Sequence, residues 1–442
     1  MTGSVIASPI LEDAPARPVT THPARPPARQ SLSRERHDVT ASRKKSAGVS
    51  RRLAAILAVT TLVQILATAA CLSLTAIAPL VARDLGVDGH LVGYQVSLVY
   101  LSGIVASAYA GRSVRHFGAA RVEAICLITF AGGLFAFATG SIAAIAFGAA
   151  IIGIGYGLQN PAASALLRSA TPERARNLVF SVKQSGVPLG ALIASLSFPA
   201  LSEAIGWRPA LIVAAVLILA AGTALFVSEP RAAGPGTEGP ARGYGFVDGQ
   251  RLLLRSPQLR SLAFLSLAYS VVQLSFSTFV VTALVEDGTW SLVAAGAAAG
   301  IMHGAGAVGR IGWGVVADRY GDGLRVLGLI GLMGSVLALA FAFALESGAG
   351  ALTMSVLLAG VGVSWIGWNG VMLAEVARYS PPDAVGEMTG AVLMHTYAGV
   401  LIGPSGLALI AGLTDRFSIA FAACALFGIL GAILARLARR AG

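Results

Sequence analysis

Gln64, Tyr156, Asn160, Lys183, Gln273, His303, Arg310, Asn369 and His395 are polar or titratable, and each stands within a long run of apolar residues. An amide both donates and accepts hydrogen bonds. An ammonium group is a compact charge that suits an anion, and an imidazole titrates near neutral pH. In hydrocarbon such groups are costly, so each is a candidate for contact with a polar solute or a moving proton. The rival roles are a bond between helices for the amides and a satisfied packing ring for the histidines. For Lys183 and Arg310 the rival is snorkelling to a membrane face. Trp365 and Trp368 are three residues apart and share one helical face. They form either an aromatic wall for a solute or plain packing. Tyr94, Tyr100, Tyr269 and Tyr397 are weaker candidates of the same kind. The carboxylates Glu123 and Glu375 fall near segment ends, Glu375 with Arg378 three residues on. No nucleophile set, phosphate-binding glycine loop or metal-ligand cluster is evident. The sequence therefore predicts neither an enzyme nor a bound cofactor or metal, and it disfavours ATP-driven transport.

The elements that position these groups are membrane helices. The chain has 442 residues, 55% of them hydrophobic and only 12% charged, with a mean hydropathy of +0.75. A soluble domain carries about 25% charged residues. Runs of about 20 apolar residues are long enough to cross roughly 30 Å of hydrocarbon. Twelve such segments are predicted, at 53–80, 91–111, 119–139, 142–167, 177–201, 208–228, 260–285, 291–317, 324–345, 350–375, 386–412 and 417–438. Cys71, Cys126 and Cys424 all lie inside them, as small apolar packing residues.

Residues 1–52 are read as a disordered cytoplasmic tail, rich in Pro, Ser, Thr, Arg and Ala. Arg43, Lys44, Lys45, Arg51 and Arg52 precede the first segment and orient it, or bind anionic lipid. Residues 229–259 form a Gly/Pro-rich linker. It divides the chain into a six-helix bundle at 53–228 and another at 260–442. Loops after even-numbered segments carry the basic residues, among them Arg112, Arg115, Arg168, Arg174, Arg242 and Arg319. Loops after odd-numbered segments hold only Arg83, Arg208 and Arg416. The bias predicts that both termini are cytoplasmic, in a multi-pass protein of the cell (inner) membrane. It also accounts for the net charge of +11 without nucleic acid.

The halves repeat each other. Val63-Gln64 and Val272-Gln273 stand 209 residues apart, as do Gly153 and Gly362, Asn160 and Asn369, Pro172 and Pro381, and Gly190 and Gly399. Between segments eight and nine lies Gly314-x-x-x-Asp318-Arg319-x-Gly321. Between segments two and three, Gly111 and Gly118 repeat its glycines, with Arg115 and His116 where the second copy has Asp318 and Arg319. Gly314 is expected to let helices approach closely, and Arg319 to hold the loop on the inner side. The octamer, the twelve segments and the duplication resemble the major facilitator superfamily over about residues 53–440. The stretch Lys183-Gln-Ser-Gly186-Val-Pro188-Leu-Gly190 loosely resembles a fifth-helix motif of some exporters in that family.

The resemblance implies an all-α fold of two pseudo-symmetric six-helix bundles, with a substrate held between them near the midplane. It implies that the first, fourth, seventh and tenth helices line the cavity. In the family the acid matching Asp318 helps hold the cytoplasmic side closed, so Gly314, Asp318, Arg319, Gly321, Gly111, Gly118 and Arg310 are assigned to gating. The expected activity is secondary transport of a small organic anion or polar neutral metabolite by a monomer. His303 and His395 are the candidates for carrying a coupling proton. Efflux of drug-like compounds is the alternative, and a membrane sensor with a transporter fold is the second.

Overall fold

The computed structural model describes residues 51–107, 109–172, 176–228, 246–381 and 384–441. The tail up to Ser50, most of the linker (229–245) and Arg174 lie outside the described residues. Twelve helices are long and apolar enough to span a membrane. They are α1 Arg51–Cys71, α2 Gly89–Ser107, α3 Ala119–Ala138, α4 Ile142–Arg168, α5 Val182–Ile205 and α6 Trp207–Ser228. The second six are α7 Pro257–Glu286, α8 Leu292–Tyr320, α9 Gly323–Glu346, α10 Ala351–Tyr379, α11 Met388–Thr414 and α12 Phe417–Arg440. No strand occurs among the described residues. The architecture is the expected one, two six-helix bundles with pseudo-symmetry. Within the stretch predicted as linker, Phe246–Arg255 is helical. Its Gln250 amide donates to the Ala391 carbonyl of α11 at 3.2 Å.

The loop glycines of the repeated octamer act as helix stops. Gly321 closes α8 in the left-handed region at φ +65°, and Gly118 ends a short helix, Ala110–Phe117, at φ +84°. Only glycine takes these angles without strain. Gly314 corrects its expectation. A Cβ there would meet nothing within 4 Å, so no helix lies close to it in this state.

Close approach occurs instead between α1 and α5. A Cβ at Gly190 would collide with the Ile65 carbonyl oxygen, and one at Gly186 would lie 2.9 Å from the Gln64 Cβ. This is the small-residue packing that replaces hydrophobic drive in lipid. It draws α5 against the middle of α1, so side chains of both helices meet at mid-depth.

The bundles touch at the end remote from the chain termini. Ser97 Oγ of α2 donates to the Leu401 carbonyl of α11 at 2.8 Å, and Ser405 Oγ donates to Ser97 Oγ at 2.7 Å. Further out, Gly93 lies against Phe279 and Pro404, and Gly89 lies against the Glu286 carboxylate. Gly296 of α8 lies against Ser195 and Pro199 of α5. Toward the termini the same helices diverge. Leu101, Val105 and Tyr109 on α2 are exposed, as are Val308, Ile311 and Val315 on α8 and Met394 on α11. The structure is thus closed at the far end and open on the side where α1 begins and α12 ends.

Candidate functional site

Three helices of the first bundle converge on one buried ammonium group. Lys183 is 2% exposed. Its Nζ donates to the Gln64 Oε1 of α1 at 2.7 Å and to the Asn160 Oδ1 of α4. Gln64 is fully buried and donates from Nε2 to Thr68 Oγ1 at 3.5 Å. The snorkelling reading of Lys183 is corrected by this geometry. The side chain points inward to α1 and α4, where Gly186 lets α5 pack closely on α1 at Gln64. Gln64 lies 13 residues beyond Arg51 on α1, or about 20 Å at 1.5 Å per residue. The lysine head is therefore near mid-depth.

The second bundle holds the corresponding amides without the lysine. Asn369 Nδ2 donates to Gln273 Oε1 at 3.1 Å, and Trp368 Nε1 donates to the same oxygen at 2.9 Å. The paired Gln and Asn seen as a repeat in the sequence thus meet in both halves. In the first half Lys183 is inserted between them; at the repeat position 392 the second half has a valine.

Arg310 joins the halves. Its Nε donates to the Ile366 carbonyl of α10 at 3.0 Å and its Nη1 to the Gln184 carbonyl of α5 at 3.0 Å. Both carbonyls are free for a physical reason. Pro188 has no N–H to offer Gln184 four residues back, and Gly362–Ile366 is a π-turn that displaces the regular ladder. Tyr156 of α4 lies near the guanidinium. Tyr156 packs edge-on to Tyr100 of α2, with centroids 5.3 Å apart. Tyr397 of α11 faces Asn160 from the other bundle.

The tryptophans stand apart from this cluster. Trp365 and Trp368 are fully buried. Trp365 packs against Gly334, Gly428 and Phe276, and Trp368 stacks edge-on with Tyr269. Neither presents an open aromatic face. His303 is 2% exposed and makes no hydrogen bond to a described residue. His395 Nδ1 lies 3.0 Å from the Ala391 carbonyl of its own helix, with its ring on Phe264. The octamer residues Asp318 and Arg319 are exposed, and Asp318 makes no hydrogen bond or ion pair to a described residue. Glu375 is buried, and the exposed Arg378 pairs with it from the surface. Its carboxylate lies on Gly323 at the start of α9, with Arg378 at 3.7 Å.

The residue that sequence reasoning missed is Glu123. It is fully buried, and neither carboxylate oxygen has a hydrogen-bond partner among the described residues. The signal was available in the spacing. Glu123 shares a helical face with Cys126, Phe130, Leu134 and Phe137, all fully buried or nearly so. Its nearness to the end of the segment hid this.

Among proteins of known activity, the chain is 33% identical over 150 residues to the hexose carrier protein HEX6 of Ricinus communis. The match takes in 32% of this chain and 29% of the carrier's length. Among solved structures, it superposes on a bacterial homolog to the human lysosomal transporter Spinster. The TM-score is 0.68 for the inward-facing, unoccupied form and 0.66 for the inward-facing, occupied form. Identity is 16% in each case, over 88% of this chain and 97% of that one. The family model described as Major Facilitator Superfamily matches residues 57–404, and the chain belongs to that family of membrane transporters.

Proposed function

We propose that the protein moves a small organic anion or polar neutral solute by alternating access. It would sit in the cell (inner) membrane with both termini cytoplasmic, and the state described above would then be inward-facing. The observation that carries the substrate reading is Lys183 between Gln64 and Asn160. A desolvated ammonium costs several kcal/mol unless it is compensated. Two amide oxygens satisfy two of its three donors but cancel none of its charge. An anionic group offered from the open side would meet the third donor, with the Arg310 guanidinium on the far wall.

The hexose carrier relative supports the polar neutral half of the reading, since the amides at Gln64, Asn160, Gln273 and Asn369 suit hydroxyl groups. Drug efflux draws less support, because the two tryptophans are buried in packing.

A thermal-shift screen of purified protein against metabolites and drugs tests this, since a ligand of the native state raises its stability. Small anions should raise Tm in the wild type. Lys183→Gln should weaken their binding at least tenfold, as loss of a charge-assisted bond costs about 1.5–3 kcal/mol. Stabilisation by amphipathic cations alone, unchanged in Lys183→Gln, would favour the efflux reading.

A further inference from the structure

The carboxyl of Glu123 has no place in the site as drawn so far. It is fully enclosed on α3, where α4 and α6 pack on it. The Gln159 amide and the Ala163 backbone come near without a geometric hydrogen bond to it, and Gln159 is itself buried with neither amide atom partnered among the described residues. A carboxylate left in this condition carries a large desolvation cost. Gln159 precedes Asn160 on α4, and Asn160 receives the Lys183 ammonium, so Lys183 brings a positive charge toward the carboxyl.

On its own helix, Cys126 lies within electrostatic reach of Glu123, and Arg121 lies over the Phe226 ring of α6. The face of α6 that meets α3 is built from Gly222 and apolar side chains. Arg112, Arg115 and His116 on the short helix before α3 are exposed.

We infer that Glu123 is a proton-binding site whose protonation sets the charge that Lys183 can offer to an anionic solute. This rests on the proposed anion reading. With Glu123 ionised, its negative charge offsets the ammonium, and the pair is neutral. A proton arriving from the open side adds to a carboxylate oxygen, giving a neutral acid and leaving Lys183 with an unbalanced positive charge. An anion then restores neutrality. When the anion leaves, the proton returns to water and the pair re-forms. One proton and one anionic charge therefore bind together, without a net change in buried charge. Because coupling is reciprocal, the effect of Lys183 on Glu123 measures the effect of Glu123 on Lys183.

Infrared spectroscopy of the reconstituted full-length protein tests the inference without any substrate. A neutral carboxylic acid in an apolar site has a carbonyl band separate from that of the carboxylate. The wild type should gain such a band on acidification, and Glu123→Gln should lose it. Lys183→Gln should show the same band at distinctly higher pH, because removing the cation removes what favours ionised Glu123. Lys183→Arg should restore the wild-type profile. A band whose pH profile is the same in wild type and Lys183→Gln would overturn the inference, as would absence of any band assignable to Glu123 across the titration. Either result would leave the anion-binding test of Lys183 intact. Loss of anion binding with the band behaviour retained would instead sink the substrate reading alone.

Discussion

Lys183 shows how far a residue can be read from sequence. Its presence in an apolar segment marked it as costly, and the repeats at Gln64 and Asn160 marked those residues as paired with Gln273 and Asn369. That the lysine bonds to both amides of its half was not legible, because it depends on how α5 packs against α1 at Gly186 and Gly190, which is a tertiary fact. Arg310 was likewise singled out, yet its partners are backbone carbonyls, which no side-chain pattern announces. Its planar fork spans the carbonyls of Gln184 and Ile366, one in each bundle. Lysine is a point donor on a flexible stem and cannot hold both at once. Arg310→Lys should therefore insert and fold normally but slow transport of the ligand found by screening at least tenfold in proteoliposomes. Transport at the wild-type rate would show that the charge suffices and that the two-carbonyl bridge is incidental.

At the scale of elements, sequence reasoning placed all twelve helices within a few residues at most ends, since unbroken apolar runs bounded by glycine, proline and charge leave little choice. It was less successful with glycines inside helices. Gly190, in the Gly186-x-x-x-Gly190 face, and Gly314, in the loop octamer, both read in sequence as glycines of close helix approach. In the structure a Cβ at Gly190 collides with the α1 backbone, whereas Gly314 faces open space. The difference lies in which helices meet in this conformation, and that is a tertiary fact. Gly190→Leu should destabilise the bundle by about 1–3 kcal/mol, the usual cost of overpacking, and lower Tm accordingly. Gly314→Leu should leave Tm within error and yet reduce the transport rate, because closure would bring another helix against that face. An equal loss of Tm in both variants would mean that Gly314 is packed in the resting protein.

For the molecule as a whole, the distribution of contacts argues for a two-state device. Bonds between α2 and α11 lie toward the end remote from the termini, through Ser97, Leu401 and Ser405, and Arg310 bridges the bundles nearer mid-depth, while the exposed carboxylate of the Asp318 loop faces the open side with no partner among the described residues. If that loop locks the second state, as the family resemblance implies, its carboxylate gains its contacts only on closure. Spin labels can report both ends in a background lacking Cys71, Cys126 and Cys424. One pair, at Tyr109 and Gly390, reads the open side, and another, at Asp88 and Asp415, reads the closed side. A ligand found by screening should shorten the first distance and lengthen the second in part of the population, since it can shift the equilibrium only by its differential affinity. In Asp318→Asn the short-distance fraction should fall severalfold at saturating ligand, while binding in the open state stays near the wild-type value. Labelling at Tyr320→Cys from the cytoplasmic side alone would fix the open side as the inner one. Equal populations in wild type and Asp318→Asn would reduce the loop to a turn between α8 and α9, and closure would then have to be held by contacts elsewhere.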